Sequence, residues 1–76
     1  MKLKIRRDIL EDGVILSTVR PPFMAWFGTY ETGISFDNQK TWVILEGYDT
    51  AVAAIQGHEK YKSMSIAELK ALEPIG

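Results

Sequence analysis

Apolar and polar residues alternate through the first half of the chain and recur with helical spacing in the second half. In residues 2–11, Leu3, Ile5 and Ile9 point one way and Lys2, Lys4, Arg6 and Asp8 the other, the pattern of a strand with one buried face. Asp12-Gly13 reads as a two-residue turn, because a type I′ turn needs positive φ at both central positions. Residues 14–19 then return antiparallel, with Ile9 facing Leu16 and Leu10 facing Ile15. Pro21-Pro22 ends that strand, since proline cannot donate to a ladder. Residues 24–36 alternate again, with Met24, Trp26, Tyr30, Ile34 and Phe36 on one face. Gly28 and Gly33 interrupt this run and mark a bulge or a close backbone approach. A polar loop over residues 37–40 leads to a fourth strand over 42–48. There Val43 and Leu45 occupy one face and Trp42, Ile44 and Tyr48 the other.

From residue 49 the period changes. Asp49 or Thr50 can cap a helix whose first turn is rich in alanine. Ala51, Ala54, Ile55, His58 and Tyr61 share one side, with Gln56, Lys60 and Ser63 opposite. Gly57 costs such a helix about 0.5–1 kcal/mol relative to alanine, a cost acceptable where a strand backbone passes close. Ser65-Ile66-Ala67-Glu68 has the form of a capping box and opens a short helix over residues 66–72, stopped by Pro74. The predicted fold is α+β: a four-stranded antiparallel sheet of two hairpins, covered on one face by the main helix and the short C-terminal helix.

One helical layer covers one face of a sheet, yet the fourth strand is apolar on both. Phe27, Trp42, Ile44 and Tyr48 are therefore expected on the open face as a candidate interaction surface. The competing expectation is that sheet curvature or the short helix covers them. The chain has 76 residues, 46% of them hydrophobic and 25% charged, which fits one globular α+β domain over residues 1–76. A core of that size rarely supplies more than about 3–5 kcal/mol without a staple. No cysteine is present, and no metal cluster is visible, so self-association is the remaining staple and a homo-oligomer is expected. No cofactor is expected either.

The formal net charge is -1, which exerts no pull toward DNA or a membrane surface. No apolar run approaches the roughly 18 residues that a membrane span needs, and the basic N-terminus lacks the apolar core of a signal peptide. A cytoplasmic protein is expected. Lys2, Lys4 and Arg6 share a strand face and could track a nucleic-acid backbone beside aromatic residues. Basic residues on an outer strand also block edge-to-edge aggregation, and the charge balance favours that reading. His58 stands alone on an apolar helix face, without the further ligands that zinc requires, and reads as a packed residue. Ser17, Ser35 and Ser65 lie in no nucleophile-elbow context, and the glycines are scattered singly, so the chain is expected not to be an enzyme.

Tyr30-Glu31-Thr32 in a central strand, the helix start at Asp49-Thr50 and the closing Gly57-His58-Glu59 resemble features of small uncharacterised proteins of bacteriophages and prophages. The resemblance spans residues 30–64 and brings no activity with it. It implies a structural unit of Glu31, Gly57, His58 and Glu59, with His58 bonded to a strand group near Glu31, and a location in the host cytoplasm. The functional expectation is an accessory protein that acts by binding protein, for instance by inhibiting a host factor or defence enzyme. A minor virion structural or assembly protein, a nucleic-acid-binding module and a small-ligand-binding module are the alternatives.

Overall fold

In the computed structural model, which describes residues 3–21 and 28–76, the first hairpin turns through three residues rather than two. Strands β1 (Leu3–Ile9) and β2 (Ile15–Arg20) flank a single turn of 3-10 helix at Glu11–Gly13. Asp12 (φ 58°) and Gly13 (φ 70°) are both left-handed, and the Leu10 N–H donates to the Val14 carbonyl at 2.7 Å. The longer loop moves the pairing by one residue, so Ile9 faces Ile15 and Asp8 faces Leu16. A one-residue shift exchanges the faces of a strand. Ile9, expected inside, is 73% exposed, and Asp8, expected outside, is turned toward the core side. A second irregularity lies between Lys4 and Arg6, where Ile5 is bulged out of the ladder and Lys4 pairs with Val19.

Strand β3 (Tyr30–Ser35) pairs antiparallel with β2, setting Leu16 opposite Ile34 and Thr18 opposite Thr32. The expected strand began at residue 24; residues 22–27, with Phe27 among them, lie outside the described residues, as does Lys2. Strand β4 (Val43–Tyr48) pairs with β3 and carries a bulge of its own. Thr32 faces Glu46 and Gly33 faces Ile44, which leaves Leu45 as the extra residue. The sheet order is β1-β2-β3-β4. At its far edge the Ile44 N–H donates to the Gly76 carbonyl at 2.7 Å and the Ile75 N–H donates to the Ile44 carbonyl at 2.8 Å.

Two helices follow. Helix α1 (Ala51–Lys62) starts at Thr50, whose hydroxyl accepts from the Ala53 N–H. Helix α2 (Ile66–Ala71) starts at Ser65 with both bonds of the capping box in place. Leu69 of α2 joins Val14, Leu16, Ile34, Leu45 and Tyr61 in the core, with Leu10, Val43, Met64, Ile66 and Leu72 packed around it. Both helices thus lie on the same side of the sheet, and neither covers the other. The architecture is α+β, a four-stranded antiparallel sheet with helices on one face. Neither helix is long and apolar enough to cross a membrane.

Gly57 does meet a close neighbour, but it is a side chain and not a strand backbone. The ring and hydroxyl of Tyr48 occupy the space that a Cβ at position 57 would need. The expected backbone approach occurs instead at Gly28 (φ +125°), where a Cβ would stand 2.7 Å from the Tyr48 carbonyl oxygen.

Candidate functional site

A chain of hydrogen bonds runs through the layer between α1 and the sheet. His58 is fully buried, and its Nε2 lies 2.8 Å from Asp8 Oδ2 while its Nδ1 lies 2.7 Å from Thr18 Oγ1. Thr18 Oγ1 is 2.6 Å from Thr32 Oγ1, which is 3.0 Å from the Tyr48 hydroxyl. The Asp8 carboxyl sits below its ordinary range, first because His58 bonds to it and then because Lys62 lies beside it, with Nζ 3.4 Å from Oδ1. An ionised carboxylate can only accept, so Nε2 donates to Asp8 and, in neutral imidazole, Nδ1 accepts from Thr18. The rest of the chain then has one direction: Tyr48 donates to Thr32, Thr32 to Thr18, and Thr18 to His58. Each threonine hydroxyl donates once and accepts once, and among the described residues no buried side-chain nitrogen or oxygen lacks a partner.

Carboxylate, imidazole and hydroxyl in this order have the connectivity of a nucleophilic triad. Such a hydroxyl must meet a substrate, however, and Thr18, Thr32 and His58 each have 0% exposure. The chain joins all four strands to helix α1, and its geometry is that of a clasp. A second clasp lies nearby at Glu46, which accepts from Lys60 Nζ at 2.8 Å and from the Tyr61 hydroxyl at 2.7 Å. Partial burial works against the Glu46 charge, but the two donors outweigh it and hold its carboxyl below the ordinary range.

Gly57 and His58 belong to this layer. Glu31 does not: it pairs with Val19 and Gly47 and lines the opposite face of the sheet. The strand group near Glu31 that completes the clasp is the next residue, Thr32, reached through Thr18. Tyr48 also departs from expectation. The bulge at Leu45 changes the phase of β4, so that Trp42 and Ile44 show on the open face while Glu46 and Tyr48 turn to the helices. Tyr48 is 7% exposed and is no part of the open surface.

That surface carries a shallow pocket of about 210 Å³. Lys4 and Arg7 supply its cationic side, Trp42 and Ile44 its apolar wall, and Ser17, Gln39 and Glu31 further polar groups. Gly33 forms part of the floor: a Cβ there would meet the Trp42 ring and the Ile44 side chain at 3.6 Å and the Val43 carbonyl at 3.3 Å. Gln39 is brought over by the loop after β3, where its N–H donates to Ser35 Oγ at 2.9 Å. Asp37 braces that loop, accepting from Thr41 and from Ser35, and its carboxyl is lowered to about 2 chiefly by the Thr41 hydroxyl.

The basic set differs from the expected Lys2, Lys4 and Arg6. Lys4 pairs with Val19 and Arg7 with Ser17, both on the open face, whereas Arg6 pairs with Thr18 and falls on the helix side. The bulge at Ile5 separates Lys4 from Arg6 and joins it to Arg7. Among the described residues no ion pair engages Lys4, Arg7 or Glu31. Sequence reasoning set Arg7 beside the basic face without choosing it as a candidate, and passed over Gln39 in the pocket and Asp8, Thr18 and Thr32 in the clasp. The threonines did leave a signal: each stands two positions from a core residue, Leu16 or Ile34, on the same face of its strand. Comparison with protein-family models, with curated proteins and with solved structures finds no match to the chain.

Proposed function

We propose that the protein is a non-catalytic binding protein that docks a protein partner on the uncovered face of its sheet. The observation that carries this reading is Trp42, 39% exposed beside Ile44 on the face that neither helix covers. An exposed aromatic and aliphatic pair rimmed by charge is the composition of an interaction surface, where Trp and Arg supply most anchoring contacts. Asp8 and His58 are bonded to one another within the clasp, which supports a structural use for them and leaves the open face to contact partners. The resemblance to phage and prophage proteins supports a host protein as that partner.

The test is affinity capture from host lysate with the wild-type chain and with Trp42→Ala combined with Ile44→Ser, the captured protein being identified by mass. Both forms are first compared by thermal melting, to show that the double variant folds. A partner held by the wild type and lost by the folded variant supports the reading. Capture that is indifferent to the two substitutions, or no specific capture, overturns it.

A further inference from the structure

The chemistry of the pocket, taken with its spacing, narrows the kind of segment that would fill the open face. Lys4 and Arg7 are three residues apart in sequence, and in a regular strand they would point to opposite faces. The bulge at Ile5 brings both to the open side, opposite Val19 and Ser17 of β2. Those two positions are one full pleat repeat apart, about 7 Å at 3.3–3.4 Å per residue. Alternate side chains of an extended peptide have the same repeat. Trp42, just before β4, and Ile44 within it form an apolar wall across the face from these cations, and Gly33 between them leaves the floor open.

We infer that this face receives an extended acidic segment of a protein, with carboxylates at alternate positions meeting Lys4 and Arg7 and an apolar side chain against Trp42 and Ile44. The inference rests on the docking role proposed above and names the chemistry of the partner. Two cations without ion-pair partners among the described residues supply the charge complementarity. Ser17 and Gln39 can bond to the peptide backbone on either side of an amide, and Glu31 can accept from its N–H groups. Glu31 also separates this ligand from a nucleic acid. A strand of phosphodiesters offers Glu31 no N–H from its backbone and would place negative charge beside its carboxylate, in a chain whose net charge is already -1.

The experiment is fluorescence anisotropy with the full chain and three labelled probes. These are a peptide with glutamate at alternate positions around central leucines, the same peptide with glutamine for every glutamate, and oligothymidylate of matched charge. The glutamate peptide is expected to bind at least about tenfold more tightly than the glutamine peptide, a difference of about 1.4 kcal/mol. That preference is expected to shrink with added salt and to vanish in Lys4→Glu combined with Arg7→Glu, shown by melting to be folded. Equal binding of the two peptides, tighter binding of oligothymidylate, or no binding of any probe overturns the inference. If a Trp42-dependent partner is captured while the peptides show no charge preference, the acidic segment falls and the docking face stands. If neither experiment depends on the face, both fall.

Discussion

His58 is held at both ring nitrogens, so removing it leaves two buried or half-buried groups, Thr18 and Asp8, without their partner. Each such loss costs about 1–3 kcal/mol, before the cavity is counted. His58→Ala is therefore expected to destabilise the fold by about 3 kcal/mol or more, a fall in melting temperature of at least about 10 °C for a chain of this size. Thermal unfolding followed by circular dichroism checks it, and an unchanged midpoint would refute the clasp. The inward position of His58 is readable from helical spacing alone. Its partners are not, because they stand 50 and 40 residues away and depend on the pairing of β1 with β2. A single extra residue in the turn at Glu11–Gly13 decides whether Asp8 or Ile9 faces the helix.

At the scale of elements, local chemistry and long-range pairing contribute differently. Thr50 and the Ser65-Glu68 box start their helices where a reading of capping residues puts them, since each cap is satisfied within three residues of itself. The bulges at Ile5 and Leu45 have no such local signature. Each is fixed by which side chains a neighbouring strand and helix require, and each changes the face that the rest of its strand presents. Tyr48 shows the consequence: alternation counted from Trp42 places it outside, and the bulge returns it to the helix side beside Gly57. Gly57→Ala would gain up to about 1 kcal/mol of helix propensity. It would also displace the Tyr48 ring, at about 1–3 kcal/mol of overpacking, and break its bond to Thr32, worth about 1 kcal/mol. The expected outcome is a net loss of stability, read as a lower urea midpoint. A gain would mean that Tyr48 moves aside freely.

Across the whole molecule, the shifted groups define a dome of stability against pH. Asp8, Asp37, Glu46 and Glu68 all have folded values below the ordinary 3.8 or 4.5, Asp37 at about 2. A lowered acid stabilises the fold fully above its unfolded value and ceases to do so as pH falls through its folded value. Tyr48 and Tyr61 are raised from 10.0, first by burial, so they add stability below that value and withdraw it as pH climbs further. From these groups the urea midpoint is accordingly expected to fall toward pH 2 and to fall again above pH 10. Asp37→Asn should lower the midpoint and flatten the acid limb, and an acid limb unchanged by it would exclude the Thr41–Asp37 brace as a source. The presence of an open face could be read from a strand apolar on both sides. Which cations share it could not, because that depends on one bulged residue in β1.

The chain has one histidine, and that imidazole is bonded to two different strands from a helix. In an isotope-labelled sample, its two ring nitrogens would give one isolated pair of magnetic-resonance signals. One signal would report on the contact with β1 and the other on the contact with β2. The protein thus carries its own two-channel reporter of helix docking, readable during unfolding or during titration with a ligand of the opposite face, without any added label.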